Sequence, residues 1–302
     1  MSTGFHEWMK ATQANFEVSL AAFLPAETVL PERLHQAMRY AALDGGKRVR
    51  PLLVYAAGRL FDAPAGLLAR AAAALEMIHA YSLVHDDMPC MDDDALRRGK
   101  PTVHVKYDEA TALLVGDALQ AQAFLVLSAE DASDAAIAEM ATRKLSMVRL
   151  LAQAAGSVGM CGGQAIDLAS VGLALTQDQL EQMHRLKTGA LLRASVLMGA
   201  MSGKTLSASE ITALDSYAGA IGLAFQVVDD VLDATADSAT LGKTAGKDAA
   251  DNKPTYVSIL GLDASRQLAE KLCSDAHAAL LPFGDKAQQL HDLADLIVQR
   301  KA

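Results

Sequence analysis

Cysteine is scarce in this 302-residue chain: Cys90, Cys161 and Cys273 stand far apart and form no C-x-x-C pair. That is the pattern of ordinary reduced thiols in a reducing compartment rather than of a disulfide framework. Aromatic residues make up 5% of the chain, and runs of alternating β-branched residues are hard to find, which argues against a β-rich fold. Positive charge is in deficit, with a formal net charge of -9, which argues against a general nucleic-acid binder. The first twenty residues carry Glu7, Lys10 and Glu17 and lack an apolar signal core. The longest apolar stretches are interrupted, as by Asp117 and Gln120, so no membrane span is expected and a cytoplasmic protein is the simplest inference. Nucleotide-binding loops are missing too. Gly242-Lys243-Thr244 has Asp237 where a P-loop needs glycine, and no strand precedes it. The series Gly156, Gly159, Gly162, Gly163 lacks the G-x-G-x-x-G spacing and reads instead as an allowance for close helix packing.

What the chain does have is helix-forming composition: 51% of residues are hydrophobic, with alanine and leucine dominant, and glycine and proline are sparse inside the apolar stretches. The expectation is an all-α protein. Helical periodicity recurs over 5–20, 32–43, 50–61, 66–87, 107–128, 132–155, 177–202, 207–235, 254–280 and 285–300, with most prolines between these runs. No repeat or linker divides the chain, so a single domain over 1–302 is expected. Two polar, irregular segments, 88–106 and 234–253, each follow an aspartate cluster at the end of an apolar helix.

The first cluster, Asp86 to Asp94, holds five carboxylates in nine residues: Asp86, Asp87, Asp92, Asp93 and Asp94. Negative charge is unfavourable at a helix C-terminus. Pro89 drives Met88 out of helical geometry, so the helix should stop there and a short loop can fold Asp92 back towards Asp86. In the second cluster, Asp229 and Asp233 share a helical face, with Gln226 one turn earlier and Asp230 beside them. Like charges at such spacing repel unless neutralised. An acidic run alone can be a solvated face. Two runs embedded in apolar helices point to hard-cation ligation instead, and Mg²⁺ suits few carboxylates plus phosphate oxygens and water. No EF-hand loop is present.

Basic groups accompany the acids. Gly45-Gly46-Lys47-Arg48-Val49-Arg50-Pro51 sets three cations after a glycine pair at a helix entrance, a moderate phosphate signal that a basic surface loop would also give. Arg97 and Arg98 follow the first aspartates, Lys187-Thr188-Gly189 opens an apolar segment, and Lys243, Lys247 and Lys253 populate 234–253 as a candidate lid. His79 lies two turns before Asp86 on one helix, so both can face one cavity.

These motifs, in this order, resemble those of trans-isoprenyl diphosphate synthases. The resemblance runs through Gly46 to Pro51, His79, Asp86 to Asp92 with Arg97 and Arg98, Gly162-Gly163-Gln164-Ala165-Ile166-Asp167-Leu168, Lys187-Thr188-Gly189, Phe225-Gln226 with Asp229, Asp230 and Asp233, and Gly242-Lys243. The stretch from His79 to Pro89, with four residues between Asp87 and Asp92, is similar to the bacterial farnesyl diphosphate synthase type. The resemblance implies a helical bundle around a deep cavity with both aspartate clusters at its mouth, and a homodimer. Gly46, Lys47, Arg50, His79 and Arg98 would hold isopentenyl diphosphate. Asp86, Asp87, Asp92, Asp229, Asp230 and Asp233 would ligate Mg²⁺, three ions bridging to the allylic diphosphate. Arg97, Lys187, Thr188, Gln226 and Lys243 would complete the allylic site. The reaction implied is ionisation of an allylic diphosphate, attack by the isopentenyl double bond and loss of a proton. The cavity floor should lie just upstream of Asp86. Helical angle alone puts Ser82 on the Asp86 face, whereas the family places an aromatic limiter at Tyr81, roughly 7.5 Å below. A geranylgeranyl synthase, a terpene cyclase and an inert partner subunit are the rival readings. The cyclase would not need the Gly46-Lys47-Arg50 site, and the inert subunit commonly loses an aspartate cluster.

Overall fold

The computed structural model describes residues 3–43, 45–129, 138–235 and 254–300. In chain order the helices are α1 Thr3–Phe23, α2 Glu32–Ala42, α3 Val49–Arg59, α4 Ala65–Asp86, α5 Val103–Lys106, α6 Glu109–Ser128, α7 Ala138–Ala155 and α8 Met160–Ala169. They continue with α9 Gln177–His184, a π-helical turn Arg185–Gly189, α10 Ala190–Met201, α11 Ala208–Thr235, α12 Tyr256–Leu260, α13 Leu262–Ala279, a 3₁₀ segment Leu281–Ala287 and α14 Gln288–Gln299. The all-α expectation holds. The only pairing of strands among the described residues is a two-residue antiparallel ribbon, Leu96–Arg97 with Lys100–Pro101.

Composition explains the layering. Helix α4 is apolar around most of its circumference, with Ala71, Ala72, Ala73, Ala74 and Leu75 wholly buried. A helix of that kind belongs inside. It packs on α6, α3, α10, α1 and α2. Helix α11 is the second interior rod and packs on α13, α10 and α14. Apolar side chains gather into one cluster around α4, α6 and α7 and another around α10, α11, α13 and α14, with Leu150 and Met201 packed against both. The charged ends of α4 and α11 lie where the two clusters leave room for a cavity.

Several boundaries differ from the periodicity. Helix α8 was not expected, because Gly162 and Gly163 dilute its apolar pattern. The 177–202 run is broken by the π turn, and 254–280 breaks at Gly261, whose φ of 84° favours glycine. Thr176 closes a capping box with Gln179 at the start of α9. Helix α4 ends at Asp86, as the following proline requires. Among the described residues three helices, α4, α6 and α11, are long and apolar enough to cross a membrane by length and composition. In α4 and α11 most of that apolar stretch, 72% and 56%, is buried inside the fold, against 39% in α6.

Candidate active site

A cavity of about 420 Å³ lies between the two interior rods. Its wall includes Arg50 from α3, His79, Tyr81, Ser82 and Asp86 from α4, Gln164 from α8, Lys187 and Thr188 from the π turn, and Gln226 and Asp229 from α11. Both aspartate clusters therefore border one space.

The first cluster divides its labour. Asp86 faces the cavity and accepts a short hydrogen bond from the Gln164 amide. Burial pushes its carboxyl up to about 6, with the Asp92 and Asp87 charges adding to the rise against Lys187 and Arg97. The loop after Pro89 does fold back, for the Asp92 backbone N–H donates to the Asp86 carbonyl at 2.8 Å. Asp87 points elsewhere. It is 3% exposed and held by Arg97, whose Nε and Nη2 approach Asp87 Oδ1 at 2.7 and 2.5 Å. As placed, Asp87 fixes Arg97 and does not border the cavity.

The second cluster is split likewise. Asp230 is buried and accepts the Tyr256 backbone N–H at 2.8 Å and the Gln226 amide at 3.1 Å. Asp233 is also buried, and its Oδ1 has no hydrogen-bond partner among the described residues. Such an atom is costly unless something cationic or donating completes it. Asp229 borders the cavity and pairs with Arg300 at 2.6 Å. Arg300 also lies over the Phe225 ring, 3.9 Å from its centre.

Among the cations, Arg50 lines the cavity with its Nε buried and unpartnered among the described residues. His79 is held well below its ordinary value by burial and by Arg50, Arg98, Arg97 and Arg48, so it stands neutral in a cationic corner. Arg98 packs on the glycine pair: a Cβ on Gly46 would sit 2.6 Å from its Nη2, and Gly46 has a φ of 84°. Gly46 thus seats Arg98. Lys47 lies across Phe225 from the main cavity, in a neighbouring groove with Arg300. Arg48, the third cation of that motif, is not available to an anion. It pairs with Glu76 and Glu17, both at 2.6 Å, inside the fold.

Lys187 reaches Asp167 Oδ2 at 2.5 Å, and the Thr188 hydroxyl donates to Gln226 Oε1 at 3.3 Å. Both sit on the π turn, a distortion frequent at functional sites. A Cβ on Gly163 would stand 2.1 Å from the Lys187 backbone nitrogen, so the glycine lets α8 press against this turn. The packing reading of the glycine series holds there. Tyr81 and Ser82 both line the cavity, so the choice that helical angle posed between them does not arise. Tyr81 is 8% exposed, and its ring meets His85 edge-on at 5.8 Å. Lys243 and nearly all of the 234–253 lid lie outside the described residues.

Three members escaped assignment from sequence: Gln164, Asp167 and Arg300. The spacing of Gln164 and Asp167, one turn apart in a motif already noted, was the available signal. Arg300 has none, since its partner is 71 positions away.

Asp86 and Asp229 turn carboxylate oxygens to the cavity, and the Asp233 Oδ1, one turn beyond Asp229 on α11, lacks a partner among the described residues. These acids fit a hard divalent ion such as Mg²⁺. The family model of polyprenyl synthetases matches residues 31–280. The farnesyl diphosphate synthase of Escherichia coli is 50% identical over 88% of this chain and 88% of its own. Among solved structures, an FPP/GFPP synthase from Zymomonas mobilis superposes with a TM-score of 0.87 at 40% identity, covering 99% of this chain and 100% of that one. A geranyltransferase from Helicobacter pylori, solved with magnesium and isoprenyl diphosphate, gives a TM-score of 0.82 at 31% identity, covering 98% and 97%. The helical architecture, the paired aspartates on one cavity and these likenesses agree: the chain belongs to the polyprenyl synthetase family.

Proposed function

We infer that the chain is a prenyltransferase that condenses isopentenyl diphosphate with dimethylallyl or geranyl diphosphate to farnesyl diphosphate. The observation that carries this reading is that Asp86 and Asp229, from separate acidic helix ends, border one cavity whose other polar groups are phosphate-binding types. The E. coli relative named for this activity supports it.

In the proposed mechanism, the C1–O bond of the allylic diphosphate breaks and the diphosphate leaves with the electron pair. The isopentenyl double bond attacks C1, and a proton is then lost to an oxygen of the released diphosphate. Lys187 and Gln226, which line the cavity, would border the departing group, with Thr188 held by Gln226 and with Arg97, fixed by Asp87, adding its charge from beside them. Arg50, Arg98, Lys47 and neutral His79 would seat the second diphosphate, Gly46 holding Arg98 in place. Asp86, Asp92, Asp229 and Asp233 would hold Mg²⁺, three ions in all, with Asp87 and Asp230 steadying Arg97 and Gln226. When bound, the metal supplies Lewis-acid stabilisation of charge on the leaving diphosphate. Apolar walls exclude the water that would trap an allylic cation. Lys243 and the 234–253 segment remain the proposed lid.

We further propose a single domain, a cytoplasmic enzyme and a homodimer. The exposed stripe Leu113, Leu114 and Leu125 on α6 supports the dimer. Incubation of purified protein with Mg²⁺, isopentenyl diphosphate and labelled dimethylallyl diphosphate, followed by product sizing, tests the activity. A C15 diphosphate is expected. C20 product would transfer the chain to geranylgeranyl synthesis, a cyclic hydrocarbon to the cyclases, and no product in a folded sample to inert partner subunits.

A further inference from the structure

Helices α13 and α14 form an antiparallel pair at the C-terminal side of the bundle, joined by the 3₁₀ segment. Each carries two donors one turn apart on the face turned to the other: Cys273 and His277 on α13, His291 and Asp295 on α14. None of the four borders the substrate cavity. His277 Nε2 lies 2.8 Å from Asp295 Oδ1, and Cys273 Sγ lies 3.5 Å from the same oxygen. The sulfur, the nitrogen and the oxygen all fall within 4.8 Å of one another. On the far side of the His277 ring, its Nδ1 meets His291 Nδ1 at 2.5 Å, with the rings near-parallel at 10° and their centres 4.7 Å apart.

We propose that Cys273, His277 and Asp295 form a site for a borderline-soft divalent transition metal of the zinc class, with His291 orienting His277 from behind. The donor set supports the choice of metal. A thiolate, an imidazole nitrogen and a carboxylate suit zinc, whereas magnesium prefers oxygens alone. Burial and Asp295 push the Cys273 thiol up to about 11, so the unloaded site holds a thiol and loading must release its proton to solvent. The thiolate and carboxylate then carry two negative charges, which a divalent ion balances. Zinc bonds of about 2.0–2.3 Å place tetrahedral donors roughly 3.3–3.8 Å apart. The 3.5 Å separation already matches this, and the 2.8 Å separation needs only a small opening of the His277–Asp295 pair. His277 and Asp295 side chains are 34% and 33% exposed, so an ion can enter and water can take the fourth position.

The second histidine explains the orientation. Metal-bound histidines donate their other ring N–H to a fixed partner, which sets the tautomer. Loaded, His277 Nδ1–H donates to His291 Nδ1 and Nε2 faces the ion. Unloaded, the proton chain runs the other way: His291 Nδ1–H to His277 Nδ1, and His277 Nε2–H to Asp295. The same four side chains serve both states, and loading reverses the tautomers. The ion would clamp α14, the helix leading to Arg300, onto α13.

This site is independent of the proposed prenyl transfer and is tested without it. Chelator-stripped protein, kept in excess Mg²⁺ so that the aspartates are occupied, is titrated with Co²⁺. One Co²⁺ per chain is expected, with a sulfur-to-cobalt charge-transfer band and intense tetrahedral visible bands, all displaced by Zn²⁺. Cys273→Ser should lose the charge-transfer band, while Cys90→Ser and Cys161→Ser keep it. His277→Gln and Asp295→Asn, both at part-exposed positions, should weaken binding at least tenfold even if the cysteine variant folds poorly. Zn²⁺ should raise the melting temperature of the native chain and not that of His277→Gln. The proposal is overturned by a folded native protein without the charge-transfer band, by a band that survives in Cys273→Ser, by binding that His277→Gln leaves unchanged, or by saturation only at large metal excess.

Discussion

At the scale of single residues, the site is a set of acids raised in pKa or pinned by burial, whose protons a bound cation would have to displace. Asp86 shows this most directly. Its carboxyl is raised to about 6 from an ordinary value of 3.8, chiefly by burial. Between those two values the folded chain binds more protons than the unfolded one, so this group's contribution to stability falls as pH rises through about 6. Metal must displace that proton. Mg²⁺ affinity, read by thermal shift or calorimetry, should therefore weaken as pH drops below about 6, and the dependence should be lost in Asp86→Asn. Asp86→Ala should lower kcat/KM for condensation by at least about a hundredfold while circular dichroism stays native. Near-normal turnover in a folded variant rejects the role. Tyr81→Ala opens the cavity floor and should shift product from C15 towards longer chains. A product distribution identical to that of the native chain rejects Tyr81 as the limiter.

Residues were legible in the sequence in proportion to how local their logic is. Two repelling aspartate clusters at the ends of apolar helices announced themselves within nine and five residues. Arg48 could not, because its partners Glu17 and Glu76 lie 31 and 28 positions away. Of the three cations in that motif, Arg48 is a buried structural one, which leaves Lys47 and Arg50 as the proposed phosphate ligands.

At the scale of elements, periodicity marked the long rods and missed the short helix that sets Gln164 and Asp167 beside the site. Four of the ten residues of α8 are Gly162, Gly163, Gln164 and Asp167, yet it delivers Gln164 to Asp86 and Asp167 to Lys187. Its seat on the π turn depends on Gly163. Gly163→Ala places a methyl group 2.1 Å from backbone, so the neighbour must move as a unit. The expected cost is about 1–3 kcal/mol of stability. Because α8 and Lys187 move together, kcat should fall more than the melting temperature would suggest. Retention of full activity with an unshifted unfolding midpoint would show that the turn accommodates the methyl group freely.

At the scale of the whole molecule, two apolar clusters share a seam at Leu150 and Met201, and the cavity opens between the rods that anchor them. The fold class was legible from composition, since nearly every strand-forming cue is missing. The assembly was not, because α6 turns Leu114 and Leu125, 55% and 63% exposed, outwards along one face. If a second copy covers that face, Leu114→Glu with Leu125→Glu should halve the mass seen in sedimentation. A native mass in that double variant would place the dimer contact elsewhere.

Helix α4 carries both ends of the proposed measurement: Asp86 at the ionising mouth and Tyr81 at the floor. A gauge cut from one continuous rod keeps its calibration while the surrounding loops breathe. Warming the enzyme should therefore change how fast chains are made far more than how long they are when they stop.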